Sequence, residues 1–429
     1  MTRSKKYLAE LRERNRLQAL DLWERGLLQP NTSARTVLSV LAMTSTMGAW
    51  TEQGVMEEIL QISQGGADIA KRTGNVGFGA FLGATSNFKT QIPVETMYTE
   101  DGFNLASAIK LVKTQGGFAL TSDYLSDFEV PIRLVPAPFW YPYTLGRGQE
   151  KARVTMSTLA QSELGVLMVT IPEQDGWQKC EYRQTGEACG FCGMNAVYKP
   201  LNPNTLAQVV EWDMQRNRVS LTLTGGNTST PDRGLAKYKP FVQKLRSQFG
   251  SQLPIQLEVS PPENQKDLEW LTSNVQSVWL NFEVFPADDF TERLRQIVMP
   301  AKGLIPKQRY MDSFKFMAER GLETYSVLIP GLQPIDTLLE GVTQLAALGA
   351  TAEGLPFKPI QGSAYEELMP CSALELLRAA VKSDEIMRQT GVDLTQRSTL
   401  YCSGCGGCSI YRSVAFNRQA IGDIRGLLG

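Results

Sequence analysis

The sequence predicts an α/β protein whose main domain is an open or closed barrel. From Gly165 onward, apolar segments with the length of buried strands alternate with helical segments, which is the pattern of βα units in a parallel sheet. Six such repeats occur without the glycine fingerprint of a dinucleotide-binding fold, which favours a barrel over a doubly wound sheet. Two compact cysteine triplets, one after the first predicted strand and one near the C-terminus, indicate where chemistry takes place.

The elements are predicted from apolar periodicity and from capping and turn residues. Predicted strands cover 165–171, 219–224, 255–259, 278–285, 324–329 and 355–360. Predicted barrel helices cover 205–216, 235–249, 265–273, 308–321 and 335–348, and a last long helix covers 372–390. Helical patterns at 3–28 and 37–47 predict a helical N-terminal extension, which an extended, proline-rich connection at 129–145 joins to the barrel.

Three regions follow from this division. Residues 1–150 form an N-terminal extension without an assigned role, residues 160–370 form the barrel, and residues 371–429 form the C-terminal helix and cysteine-rich segment. The chain of 429 residues is long enough to bury a substantial core without disulfides.

Composition excludes several classes of function. A formal charge of -1 gives no electrostatic reason to expect nucleic acid as a partner. No apolar stretch approaches the ~18–20 residues of a membrane span, and the charged N-terminus does not resemble a secretory signal. The expected compartment is therefore the cytoplasm, where thiols stay reduced and clustered cysteines favour metal or cluster sites over disulfides.

The chain contains no histidine. This excludes Ser-His-Asp and Cys-His nucleophilic catalysis, zinc sites with histidine ligands, haem held by histidine, and Rieske clusters. Any metal centre of this protein must therefore use thiolates.

The first triplet is Cys180, Cys189 and Cys192, spaced C-x8-C-x2-C directly after the first predicted strand. The carboxyl ends of barrel strands are where barrel enzymes keep their active sites. Three thiolates on one short loop can hold three irons of a 4Fe-4S cluster and leave the fourth iron open. A zinc knuckle and ordinary core thiols are the alternatives.

This constellation resembles the radical S-adenosylmethionine (SAM) superfamily over residues 160–370, with a (β/α)6-type partial TIM barrel as the implied fold. In that family three cysteines hold the cluster, SAM chelates the open iron, and an electron from the cluster cleaves SAM to methionine and a 5'-deoxyadenosyl radical. The commonest spacing in the family is C-x3-C-x2-C, so the longer first gap here is a departure. An aromatic residue before the third cysteine is usual, and the resemblance implies that Phe191 packs near the cluster and the adenine.

Further motifs resemble the family in strand order. Gly225-Gly226-Asn227 after the second strand is similar to the Gly-Gly-Glu motif that receives the methionine amino group, with Asn227 in place of the acid. Glu258 and Ser260 after the third strand and Glu283 on the fourth stand where the family contacts SAM. Ile329, within Val-Leu-Ile-Pro-Gly-Leu, resembles the fifth-strand motif that packs against adenine. For Glu258 and Glu283 a structural ion pair in the barrel mouth is the alternative.

Residues 356–363 resemble the sixth-strand region of biotin synthase-like members, and lipoyl synthases are similar in the barrel. Basic residues near predicted strand ends could bind a carboxylate or phosphate of the substrate, or could simply be solvated: Arg295, Lys302, Lys307, Arg309 and Lys358.

The second triplet is Cys402, Cys405 and Cys408, with the C-x2-C-x2-C spacing of bacterial ferredoxins. An auxiliary 4Fe-4S cluster is the favoured interpretation, and a zinc site or redox-inactive thiols are the alternatives. Cys371 would be either a further ligand or a buried apolar residue, and we favour the second.

The sequence thus predicts a radical SAM enzyme that abstracts hydrogen from a small-molecule substrate, with sulfur insertion or oxidation as outcomes and a reductant such as flavodoxin or ferredoxin as partner. One alternative is a non-catalytic electron-transfer or carrier protein with two iron-sulfur clusters. Another is a zinc-stabilised binding protein. The Gly-Gly motif and the strand-end acids speak against the electron carrier, which needs no SAM pocket.

Overall fold

The computed structural model describes most of the chain. The described residues are 3–29, 33–50, 52, 55, 58, 75–82, 93–97, 106–134, 137–144, 155–163, 166–193, 196–215, 219–360, 362–398, 400–402, 409–419, 422 and 426.

The described part of the N-terminal extension includes a sheet and helices α1 (Lys5–Glu24) and α2 (Ala34–Met47). Their first turns are capped by the Ser4 and Ser33 hydroxyls, which accept hydrogen bonds from backbone N–H groups of Tyr7 and Thr36. The strands that follow are β1 (Asn75–Leu82), β2 (Pro93–Met97), β3 (Lys110–Thr114), β4 (Gly117–Thr121) and β5 (Glu129–Leu134).

These five strands form an antiparallel sheet in the order β2-β1-β5-β4-β3. The prediction of a helical extension is therefore incomplete, because it did not include this sheet. The segment predicted as an extended connection begins with strand β5 of this sheet. A two-residue turn joins β3 to β4, and this hairpin spacing is a signal that the helical prediction passed over.

The main sheet has seven strands. Helix α3 (Met156–Leu159) leads into β6 (Gln161–Glu163), which runs antiparallel to β7 (Val166–Thr170) at one edge. From β7 the strands are parallel and follow sequence order: β10 (Ser220–Thr224), β11 (Ile255–Glu258), β12 (Ser277–Trp279), β13 (Glu323–Leu328) and β14 (Thr351–Gly354). The order never reverses, so this is not a doubly wound sheet, and the parallel strands pair in sequence order.

Two short strands, β8 (Trp177–Gln178) and β9 (Val197–Tyr198), form a separate hairpin around helix α4 (Glu181–Gln184). Helices connect the parallel strands: α5 (Pro203–Met214), α6 (Lys239–Phe249), α7 (Gln265–Asn274), α8 (Asp289–Val298), α9 (Lys307–Ala318) and α10 (Ile335–Ala347). Short 3-10 turns at Leu235–Lys237 and Lys302–Leu304 precede α6 and α9. Helices α11 (Ala373–Gln389) and α12 (Tyr411–Phe416) follow β14.

Five of the six predicted barrel strands lie where expected, although β12 ends at Trp279, well before the predicted end at 285. The sixth prediction, 355–360, is wrong. Strand β14 is Thr351–Gly354, and its four residues pair in register with Tyr325 through Leu328. Two prolines interrupt 355–360, and proline cannot donate a ladder hydrogen bond.

The buried core runs without interruption from Ala19 in α1 through the barrel strands to Ala415 in α12. The extension, the barrel and the C-terminal helices therefore pack as neighbours around shared apolar side chains. Among the described helices, none has the length and apolar character needed to cross a membrane.

Candidate functional site

The first cysteine triplet lies on the loop between β7 and α5, at the carboxyl end of the first parallel strand, as predicted. The hairpin of β8 and β9 closes the base of this loop. Trp177 pairs with Tyr198 in the hairpin, and their rings meet edge to face with centroids 5.6 Å apart. Gly176 is in a left-handed conformation at φ 79° and lies against the Tyr198 ring. The loop is therefore held by its own small sheet.

Helix α4 fills the long gap between Cys180 and Cys189. The Glu187 N–H donates to the Tyr182 carbonyl at 2.6 Å, and Gly186, at φ 81°, reverses the chain after the helix. The Tyr182 hydroxyl donates to the Thr228 carbonyl at 2.9 Å, and the Glu181 carboxylate accepts from the Ser229 N–H at 3.1 Å. The extra residues of the gap thus dock on the loop after β10.

Cys189 and Cys192 stand on one tight turn, in which the Cys192 N–H donates to the Cys189 carbonyl at 3.0 Å. Gly190 within it donates to the Val298 carbonyl at 2.8 Å and accepts from the Tyr365 N–H at 3.2 Å. A Cβ on Gly190 would lie 2.6 Å from Cζ of Tyr365, so only glycine permits this approach. The turn is therefore fixed from two sides.

Phe191 and Cys189 pack against an apolar cluster at the barrel mouth, which also contains Trp279, Ile329 and Phe357. The structure thus brings Phe191 and Ile329, both predicted to lie near adenine, to the same cluster. Their role toward a ligand stays a prediction.

The Gly225-Gly226-Asn227 segment directly follows β10 and touches the cysteine loop. The Asn227 carbonyl accepts from the Glu181 N–H at 3.1 Å and from the Cys180 thiol at 3.7 Å. A Cβ on Gly226 would lie 2.1 Å from the Lys179 carbonyl oxygen. The Asn227 side-chain oxygen accepts from the hydroxyl of Ser260, which lies after β11, at 2.9 Å.

Lys237, which the sequence did not single out, anchors the same segment. Its side chain is 4% exposed, and its ammonium donates to the Glu173 carboxylate at 2.9 Å and to the Gly226 carbonyl. Gly225 lies against the hydroxyl of Tyr238, which a Cβ would approach to 2.9 Å.

Glu258 is half-buried at the end of β11, and the partial burial raises the pKa of its carboxyl group. A hydrogen bond from the Thr224 side chain and one from the Asn281 amide, at 2.5 Å, oppose this rise. Asn281 also accepts the Val327 N–H at 3.0 Å and so links three neighbouring strand ends.

Glu283 forms an ion pair with Lys302 at 2.7 Å, which is the structural alternative considered for this residue. It lies after β12, not on it, and is left-handed at φ 63°, a conformation that costs a non-glycine residue about 1 kcal/mol or more. A parallel bridge to Leu328 holds it there. Lys302 is buried, which lowers its pKa, but Glu283, Tyr310 and Cys189 outweigh burial and raise it.

Arg295 is fully buried and donates to the Gly303 and Ile305 carbonyls at 3.0 and 2.9 Å. Neither Arg295 nor Lys302 is solvated, and each is committed to a structural contact. Arg295 holds the 3-10 turn that carries Lys302, and a Cβ on Gly303 would lie 2.7 Å from the Arg295 carbonyl.

The three thiols of the loop are half-buried. Within the described ranges, no group of three or more Cys, Asp or Glu side chains is close enough to hold a metal ion. Cys189 and Cys192 share one backbone turn. Burial, Glu283, Cys192 and Cys180 raise the pKa of the Cys189 thiol, while Lys302 opposes them.

The donor set fits an iron-sulfur cluster in its chemistry, because it offers three thiols, two of them on one turn, with glycine backbone beside them and an apolar wall behind. The residues that would hold the cluster are Cys180, Cys189 and Cys192.

The second triplet is only partly within the described residues, since Cys405 and Cys408 lie outside them. The backbone N–H groups of Tyr401 and Cys402 donate to the hydroxyls of Ser220 and Thr222, at 2.9 and 3.0 Å. Ser220 is the first residue of β10 and Thr222 is the middle one, whereas Asn227 and Cys180 lie beyond the carboxyl end of the strand. The Cys402 backbone therefore contacts the middle of β10, and not the loop of the first triplet.

Cys371 is buried in the main core. Burial raises the pKa of the Cys371 thiol to about 12. The backbone of Cys371 is also closely packed, since a Cβ on Gly331 would lie 3.1 Å from the Cys371 nitrogen. This environment is that of a packed apolar residue.

Comparisons with known proteins give partial similarities. No protein-family model matches the chain. The bacteriochlorophyllide c C-7(1)-hydroxylase of Chlorobaculum limnaeum is 23% identical over 230 residues, which are 47% of this chain and 56% of the hydroxylase. The chain thus spans about half the length of this curated relative.

Two solved structures overlap with parts of the fold. Streptococcus suis SuiB bound to S-adenosylmethionine shares 14% identity, with a TM-score of 0.39 over 53% of this chain and 49% of SuiB. TsrM of Kitasatospora setae, a radical S-adenosylmethionine methyltransferase, shares 11% identity, with a TM-score of 0.35 over 63% of this chain and 49% of TsrM. Both overlaps are low in similarity.

Proposed function

We propose that this protein is a radical SAM enzyme. The observation that carries the proposal is the contact between two separate segments: the three-cysteine loop after the first parallel strand is docked, backbone to backbone, on the Gly-Gly-Asn segment after the second. A loop that only stored iron would not need a second, glycine-lined strand end beside its open side.

In this proposal Cys180, Cys189 and Cys192 hold a 4Fe-4S cluster. When bound, the cluster supplies the electron that cleaves SAM and leaves a 5'-deoxyadenosyl radical. The Gly225-Gly226 backbone and Asn227 bind the methionine end of SAM, and Ser260 orients the Asn227 amide through its hydrogen bond.

The remaining predicted residues shape the pocket. Phe191 and Ile329 present the apolar wall for the adenine and exclude water from the mouth. Glu258, with a carboxyl pKa raised by burial and hydrogen-bonded to Asn281, faces the same strand ends and offers a hydrogen-bonding group for SAM or substrate. Glu283 acts through Lys302 as a support of the mouth.

The reaction type is hydrogen abstraction from a C–H bond of a small-molecule substrate, with a flavodoxin- or ferredoxin-type reductant. The similar hydroxylase from Chlorobaculum limnaeum supports an oxidative outcome, because hydroxylation replaces a C–H bond by a C–O bond. We include an auxiliary cluster at Cys402, Cys405 and Cys408 in the proposal. The Cys402 backbone contacts the middle of β10 and not the carboxyl strand ends where the first triplet lies, which favours electron transfer over sulfur donation for this cluster.

The test is anaerobic reconstitution with iron and sulfide, then incubation with SAM and dithionite and chromatographic assay of 5'-deoxyadenosine. Wild-type protein is expected to form it and Cys192→Ala is not, while the control variant Ser247→Ala, at an exposed serine of α6, retains activity. A brown protein that never cleaves SAM would instead be the electron carrier, and a colourless zinc protein would exclude both.

A further inference from the structure

One segment of the chain lies between the cysteine loop and the N-terminal helix. We call residues 362–373, between β14 and α11, the strap; all of them are described. The strap has almost no regular secondary structure before α11, so its path depends on what holds it at each side.

The inner side of the strap touches the cysteine loop. The Tyr365 N–H donates to the Gly190 carbonyl at 3.2 Å, and the Tyr365 ring covers the face of Gly190. Arg183 of helix α4 joins both segments, because its guanidinium donates to the Cys192 carbonyl at 2.8 Å and to the Gly362 carbonyl at 3.3 Å. The turn between Cys189 and Cys192 therefore has the strap as its cover.

The outer side of the strap is bonded along α1. The Tyr7 hydroxyl donates to the Leu368 carbonyl at 3.2 Å, and the Arg14 guanidinium donates to the Pro370 carbonyl at 2.6 Å. At the two ends, the Ser4 N–H donates to the Glu367 carboxylate at 2.5 Å and the Ala373 N–H donates to the Gln18 side chain at 3.2 Å. These contacts come from Ser4, Tyr7, Arg14 and Gln18, and so they extend over about four turns of α1.

From this arrangement we infer that α1 positions the cysteine turn for its cluster: Arg14 and Tyr7 hold the strap, and the strap holds Tyr365 over Gly190. The N-terminal helix is thereby part of the site, although it contributes no ligand. Arg14, Tyr7 and Tyr365 are positioning residues. The inference rests on the proposed function in taking Cys189 and Cys192 as cluster ligands.

The experiment measures how far the strap protects Cys189 and Cys192 from alkylation, in the metal-free protein under reducing conditions. Samples are treated with iodoacetamide for timed intervals, and alkylation at each cysteine is read by peptide mass mapping. The variants are Arg14→Ala, Tyr7→Phe and Tyr365→Ala. The matched control is Arg16→Ala, since Arg16 lies on the same helix but pairs with Glu13 on the surface. Cys402, whose backbone is bonded to β10 and not to the strap, is the internal reference.

In Arg14→Ala and Tyr365→Ala, iodoacetamide is expected to alkylate Cys189 and Cys192 about tenfold faster than in wild type. Loss of the Arg14 hydrogen bond, or of the Tyr365 ring over Gly190, favours local opening of the turn. Tyr7→Phe, which removes one hydroxyl and leaves the fold intact, should give a smaller rise at the same two cysteines. Arg16→Ala and the rate at Cys402 should be unchanged.

Two results would overturn the inference: wild-type rates at Cys189 and Cys192 in all three variants, or an equal rise at Cys402, which would mean general unfolding. After reconstitution, loss of the iron-sulfur absorbance to a chelator should be faster in Arg14→Ala than in Arg16→Ala, and equal rates would also count against it. Because alkylation needs no cluster, a protein that shows the predicted alkylation but never takes up iron would contradict the proposed function alone.

Discussion

Gly226 lies against Cys180 so closely that a Cβ on the glycine would be 2.6 Å from Cα of the cysteine. The two residues are 46 positions apart in sequence and belong to loops after neighbouring parallel strands, β7 and β10. Their contact joins the proposed cluster ligand to the segment that we propose binds the methionine end of SAM. Both loops must therefore keep their backbone positions for the site to exist.

Replacing Gly226 by alanine should displace the cysteine loop. The added methyl group would meet the Lys179 carbonyl oxygen at 2.1 Å, and backbone atoms cannot rotate away as a side chain can. We expect iron uptake and 5'-deoxyadenosine formation to fall to near background, with a loss of about 1–3 kcal/mol in unfolding free energy. The control is Gly116→Ala in the β3–β4 turn, where a Cβ would meet no atom closer than 4.0 Å; this variant should match wild type. Wild-type iron uptake and stability in Gly226→Ala would mean that the contact between Gly226 and the cysteine loop is unimportant.

Ser260 should affect SAM binding through Asn227. Ser260→Ala removes the 2.9 Å hydrogen bond that fixes the Asn227 amide and should weaken SAM binding about three- to tenfold, since such a bond contributes about 0.5–1.5 kcal/mol. Isothermal titration of the reconstituted protein with SAM measures this. Ser247→Ala, at an exposed serine of α6, is the control. An unchanged dissociation constant in Ser260→Ala would mean that Asn227 does not contact SAM.

The Lys302–Glu283 pair should matter for stability. Lys302→Met leaves the Glu283 carboxylate buried without its cation, and breaking a buried pair in this way costs about 3–5 kcal/mol. Chemical denaturation measures the change.

The double variant Lys302→Met/Glu283→Gln tests the cause of that loss. It should recover part of the lost free energy, because no charge is then left buried and unpaired. If the double variant is as unstable as the sum of the two single variants, the residues are not coupled.

Acid should weaken the C-terminal region through Asp393. Hydrogen bonds from Arg418 hold the pKa of Asp393 at about 2, below its ordinary value of 3.8. A lowered pKa stabilises the fold above about pH 4, and that contribution disappears as the pH falls toward 2. Melting temperatures of wild type and Asp393→Asn should therefore differ at pH 6 and converge near pH 2. A constant difference across this range would contradict the assignment.

The sequence predicted the elements whose local signals agree with their tertiary setting. Strand β7, Val-Leu-Met-Val-Thr, is a short and mostly apolar run, and its β-propensity matches the burial of Val166, Leu167 and Val169 in the sheet. Strand β14 contains a glutamate and a glycine, and only pairing with Tyr325 through Leu328 makes it a strand. The sixth strand was predicted at the more apolar residues 355–360 instead, because tertiary pairing cannot be inferred from composition.

The candidate site divides in the same way. The cysteines were singled out by their spacing, and Gly226 and Phe191 by their resemblance to family motifs; their roles stay predictions. The contact of Tyr365 with Gly190, and that of Arg14 with the strap, join residues far apart in sequence, so no local pattern reveals them. Lys302 was noted as a basic residue, but its commitment to Glu283 depends on a left-handed backbone at residue 283 that glutamate seldom adopts.

The central claim is that SAM binds an open iron on the three-cysteine loop. Electron paramagnetic resonance of the dithionite-reduced protein tests this most directly, with spectra recorded without SAM, with SAM, and with SAM carrying 17O in its carboxylate. We expect SAM to change the cluster signal and the labelled oxygen to broaden it, and both effects to be absent in Cys192→Ala. A reduced 4Fe-4S signal in wild type that SAM leaves unchanged would contradict the account.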